Sequence, residues 1–84
     1  MTLPTDEIIV YGTRWCYDTT RALRWLDNHK VTYRYIDIDH DPDARALVEQ
    51  VNNGFRSVPT IFFPDGSRLV EPTSLQLADK FGVG

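Results

Sequence analysis

Cysteine is nearly absent: Cys16 is the only one among 84 residues. No intrachain disulfide can form, which excludes a disulfide-stapled secreted module. Any redox chemistry at Cys16 must take its second sulfur from outside the chain. One Cys and two His also fall short of the four N or S ligands of a structural zinc site. No apolar run approaches the ~20 residues that cross a bilayer, and no membrane partner is expected. Met1 to Asp6 lack the basic and apolar stretches of a secretory signal, so the expected location is cytoplasmic. A basic excess is missing too: 9 Lys and Arg stand against 12 Asp and Glu, for a net charge of −3. That argues against non-specific binding to nucleic acid or anionic membranes. Repeats, low-complexity tracts and Ser/Gly linkers are lacking, so residues 1–84 read as one domain with its core in 7–82.

What is present reads as a soluble globular chain, 42% hydrophobic and 25% charged. Glu7 to Tyr11 is a β-branched run ended by Gly12, a buried strand. From Cys16 the pattern turns helical, with Ala22, Leu23 and Leu26 on one side and an end near His29-Lys30. Val31 to Ile38 is a second strand. Asp41-Pro42 is an N-cap with proline at the first helical position; Ala44, Leu47, Val48 and Val51 follow at helical spacing, and Asn53-Gly54 stops the helix. Thr60 to Phe63 and Arg68 to Val70, joined by Pro64-Asp65-Gly66-Ser67, predict an antiparallel hairpin. A last helix starts at Thr73 or Ser74, buries Leu75, Ala78 and Phe81, and stops at Gly82. The order β-α-β-α-β-β-α predicts an α/β fold, with helices on both faces of a four-stranded mixed sheet.

Cys16 stands where a strand gives way to the first turn of a helix. Unpaired N–H groups and the positive dipole end stabilise an anion there, so a thiol loses its proton more readily. Arg14 adds to that effect and Asp18 opposes it. The competing reading is an inert cysteine packed as a small hydrophobe. Ser57-Val58-Pro59-Thr60 precedes the third strand. An X-Pro bond is cis only about 5–6% of the time, so residue chemistry alone favours trans. Asp37 to Asp43 resembles the opening of a calcium loop but has Pro42 and Val48 where Gly and Glu belong, so it fails. No metal site is expected. His29 and His40 read as surface or capping residues, Trp25 as packing, and Tyr33 and Tyr35 as strand formers.

Tyr11 to Thr19, together with Ser57-Val58-Pro59-Thr60 and Phe63 to Ser67, resembles the glutaredoxin family of the thioredoxin-like fold. The likeness spans residues 7–82 and lies nearest the small bacterial branch of mycoredoxins and NrdH-type redoxins. It implies that Cys16 is the nucleophile and that Val58–Pro59 is a cis pair beside it. Thr19 stands where dithiol members carry a second cysteine, which implies a monothiol mechanism on mixed disulfides between proteins and a low-molecular-weight thiol. Thr19 is then either a hydrogen-bond donor to the thiolate or a plain helix residue. The Gly-Gly-x-Asp segment that holds a glutathione carboxylate is replaced by Asp65-Gly66-Ser67-Arg68 and Glu71-Pro72-Thr73-Ser74. Thr73 and Ser74 would still offer helix N-terminal N–H groups to a carboxylate, and Arg14 and Arg56 would flank the same groove. Trp15 would shield one side of Cys16, and Tyr17 lies beside it. The co-substrate is glutathione, mycothiol or bacillithiol, and the expected state is a small acidic monomer. Two alternatives accompany this reading: an iron–sulfur carrier, which the departure from Cys-Gly-Phe-Ser disfavours, and a thioredoxin-fold binding module without catalysis.

Overall fold

The computed structural model describes residues 7–83. The elements run β1 (Ile9–Gly12), α1 (Tyr17–Asn28), β2 (Arg34–Asp37), α2 (Pro42–Val51), β3 (Thr60–Phe62), β4 (Arg68–Val70) and α3 (Ser74–Phe81). The sheet order is β2-β1-β3-β4. β1 and β2 are parallel, whereas β3 runs antiparallel to both β1 and β4. The expected order and mixed sheet are therefore those of the structure, a thioredoxin-like α/β fold.

Strand alternation divides the core in two. Val10 pairs with Ile61, and both face Ala22 and Leu26 of α1 and Leu77 of α3. Ile9 and Tyr11 point the other way and join Ala44 and Val48 of α2. The Tyr11 and Phe62 rings meet edge to face there, 5.6 Å apart. One face of the sheet thus carries α1 and α3, the other α2.

The helix signals act as their chemistry requires. The Asp41 carboxylate accepts from the Ala44 amide at 3.0 Å, capping α2, and Pro42 is its first helical residue. Gly82, at φ 69°, closes α3 in the left-handed region that glycine tolerates best.

Several element limits and one buried face differ from the sequence expectation: β1 begins at Ile9 and takes in Gly12, and β3 ends at Phe62. β2 begins at Arg34, not Val31, because Lys30 at φ 58° turns the chain and the Val31 amide still bonds to Leu26 of α1. Cys16 is the residue that caps α1, not its first helical position. Leu75 is 78% exposed, and Leu77 takes the buried place with Ala78 and Phe81 half-buried. Two helical steps turn about 200°, so Leu75 and Leu77 occupy opposite faces, and the sheet selected the face holding 77 and 81.

Candidate active site

Strand direction collects four loops at one end of the sheet. The C-terminal ends of β1, β2 and β4 lie beside the N-terminal end of β3. Cys16, Asp39, Val58–Pro59 and Thr73 follow or precede those ends.

Cys16 has extended backbone (φ −85°, ψ 124°) and is half-buried at the α1 N-terminus. Its amide donates to the Thr13 carbonyl at 3.3 Å, and its carbonyl accepts from the Thr20 amide at 3.1 Å. The side chain caps nothing; Sγ instead points at the Val58 carbonyl, 3.9 Å away. The Val58–Pro59 peptide is cis, against what residue chemistry alone favours. The turn before β3 is braced from inside. Buried Thr60 donates its hydroxyl proton to the Ser57 carbonyl at 2.6 Å and accepts from the Asn52 amide group at 3.1 Å. The Glu71 amide holds the Pro59 carbonyl at 2.8 Å.

The flanking aromatics stand open. Trp15 is 77% exposed, its indole N–H donating to Asp39 Oδ2 at 2.8 Å. Tyr17 is 70% exposed, with the Arg21 guanidinium 5.8 Å from its ring centre. Arg21 also pairs with Asp18 at 3.1 Å and donates to the Pro72 carbonyl at 3.3 Å. Asp18, expected to oppose ionisation of Cys16, is thus engaged by a cation of its own helix. Arg21 and Asp39 went unnoticed in the sequence, where nothing marks a pairing across 51 or 24 positions.

Other expected site residues are placed differently from the sequence reading. Thr19 is fully buried, and among the described residues its hydroxyl finds no hydrogen-bond partner. It packs on Gly12 and makes no hydrogen bond to the thiol. A Cβ at Gly12 would lie 2.6 Å from Thr19 Cγ2. Thr73 caps α3 in a reciprocal box: its hydroxyl accepts from the Gln76 amide at 3.1 Å, while its own amide donates to Gln76 Oε1 at 2.9 Å. The Thr73 amide is therefore taken and is not available to a carboxylate ligand, which leaves Ser74 in the first turn. Arg14 lies over the Tyr35 ring, 4.9 Å from its centre, and Arg56 pairs with Glu49 at 2.9 Å.

Tyr35 itself is half-buried, with a hydroxyl lacking a partner among the described residues. Burial, then Asp37, raises its phenol above the ordinary tyrosine value, against the opposing effect of Arg14. No cluster of three or more His, Cys, Asp or Glu able to hold a metal occurs among the described residues. No helix among them is long and apolar enough to cross a membrane.

Comparison with known proteins bears on the family and the fold. The Glutaredoxin family model matches residues 8–68. A Mycobacterium tuberculosis protein named as a glutaredoxin is 36% identical over 76 residues, covering 90% of each chain. Mycoredoxin 1 of Corynebacterium glutamicum is 34% identical over 75 residues, 89% of this chain and 92% of that one. Among solved structures, a glutaredoxin from Archaeoglobus fulgidus superposes with a TM-score of 0.71 at 23% identity, over 94% of this chain and 92% of the other. That last likeness bears on the fold alone. With the sequence relatives and the family match, the chain belongs to the glutaredoxin family.

Proposed function

We propose that this glutaredoxin-family redox protein is a thiol–disulfide oxidoreductase working through one sulfur, on mixed disulfides between proteins and a low-molecular-weight thiol. The observation that carries the reading is the single thiol, half-exposed at a helix N-terminus and aimed at the Val58 backbone. In the first step the Cys16 thiolate attacks the small-thiol sulfur of the mixed disulfide. The S–S bond breaks, the protein leaves as a thiolate that takes up a proton, and Cys16 carries the small thiol. A second small-thiol thiolate then attacks that carried sulfur, freeing Cys16 and releasing the small thiol as its own disulfide. The balance closes: one mixed disulfide and one free small thiol become one protein thiol and one small-thiol disulfide.

Cys16 stands at the α1 N-terminus, the end of a helix that attracts negative charge. The Val58 backbone would align the carried thiol's peptide-like part, since N–H and C=O groups pair readily with an extended ligand. Trp15 and Tyr17 would wall it, and Ser74 would meet a carboxylate or hydroxyl at its far end. The co-substrate is glutathione, mycothiol or bacillithiol, and the likeness to mycoredoxin 1 makes mycothiol the first to assay.

Intact mass after incubation with the three oxidised thiols, each in turn, tests the reading. The expected result is a single adduct of one small-thiol mass, formed by one of the three faster than by the others. A further equivalent of that reduced thiol reverses it, and Cys16→Ser abolishes it. No adduct with any of the three would overturn the proposal and leave a binding module.

A further inference from the structure

A groove of about 380 Å³ lies along α1. Arg14, Thr19, Thr20, Leu23, Arg24, Asp27 and Asn28 line it. Its size is that of a small-ligand or side-chain site. Arg21, Arg34, Arg56 and Lys80 each have a carboxylate partner. Among the described residues Arg14, Arg24, Lys30, Arg45 and Arg68 form no salt bridge, and of these Arg14 and Arg24 line this groove. The carboxylate that also lines it, Asp27, accepts the Tyr33 hydroxyl at 2.8 Å. Beneath Arg14, the Tyr35 hydroxyl is buried without a partner.

We infer that this groove receives a carboxylate side chain from an acidic segment of the protein whose disulfide Cys16 attacks. Charge complementarity selects the occupant: Arg14 and Arg24, which form no salt bridge among the described residues, outnumber the one lining carboxylate, Asp27, and offer forked donors that match a carboxylate. Thr19 and Thr20 of the groove lining follow Cys16 by three and four residues, about one helical turn. Thr20 hydrogen-bonds the Cys16 carbonyl at 3.3 Å, and Arg24 stands two turns on from Cys16, about 12 Å along the axis. An extended peptide covers that span in about three to four residues. The preferred substrate therefore carries Asp or Glu three or four positions from its reacting cysteine. This inference rests on the oxidoreductase reading for its partner, but the groove can be tested without that chemistry.

Two peptides that differ only in Glu or Gln at that position, each in mixed disulfide with whichever of glutathione, mycothiol and bacillithiol forms the Cys16 adduct fastest, provide the kinetic test, read as the ratio of their rates of adduct formation on Cys16. At low salt the wild-type ratio should favour the Glu peptide about fivefold, fall towards one in Arg24→Gln, and invert in Arg24→Glu. The second arm uses Cys16→Ser, where the reduced Glu peptide should shift the Arg14 and Arg24 Nε–H resonances and citrate at equal carboxylate concentration should not. A wild-type ratio near one, a preference surviving in Arg24→Glu, or equal shifts from citrate would overturn the inference. If neither peptide forms an adduct, the oxidoreductase reading falls, and the resonance shifts alone decide whether the groove binds the peptide.

Discussion

Gly12 and Thr19 set the geometry on which Cys16 rests. Gly12 ends β1 and Thr19 lies in the first turn of α1; the contact between them fixes how closely helix and strand approach. A Cβ at position 12 would also lie 2.9 Å from Thr19 Oγ1, so a neighbour must move. Gly12→Ala should therefore destabilise the protein by about 1–3 kcal/mol in urea denaturation. The double variant Gly12→Ala/Thr19→Ala should lose less than the sum of the two single effects, because the second change vacates the space the first demands. Additive losses would mean that the clash lies elsewhere. In the sequence Gly12 reads only as a strand end. The need for glycine arises from an approach between elements, which spacing along a chain does not encode. Cys16 was legible because its meaning depends on a local boundary; the orientation of Thr19 depends on the sheet behind it and was not.

The last helix is tied to the hairpin at the opposite end of the sheet from Cys16. Lys80 donates to Asp65 Oδ2 at 3.0 Å and to the Ser67 hydroxyl at 2.6 Å, and its ammonium sits 4.7 Å from the Phe63 ring centre. Hydrogen bonds from the Ser67 side chain and backbone, then Lys80, hold the Asp65 carboxyl well below the usual carboxylate range. A carboxyl depressed on folding adds stability that is complete above its unfolded value, about 3.9, and is lost as pH falls below it. The thermal midpoint of the wild type should thus drop more steeply below pH 4 than that of Asp65→Asn. Parallel curves for the two proteins would remove the clamp from the account. The turn chemistry of Pro64 to Ser67 was readable in advance, and so was the Thr73-x-x-Gln76 box, whose spacing is a known helix start. The fastening of α3 by Lys80 was not, because the two ends meet only after the sheet has formed.

Across the whole molecule, two small cores share one thin sheet, so neither can absorb much loss. A chain of this size carries roughly 4–13 kcal/mol of stability in total. Leu26→Ala, in the α1 and α3 layer where Leu26 is fully buried, should cost about 2–5 kcal/mol. Val48→Ala in the α2 layer removes fewer atoms and should cost less, as comparison of the two urea midpoints would reveal. The order of elements and the helix faces of α1 and α2 could be read from periodicity alone. Leu75 was misplaced because eight residues of α3 offer two plausible apolar stripes, and only the sheet decides between them. The solitary sulfhydryl of Cys16 has an analytical consequence as well. Every equivalent of thiol-specific reagent consumed by a pure sample reports on that one atom, with no silent cysteines to subtract. A simple colorimetric titration therefore counts, chain by chain, how many molecules stand ready to react.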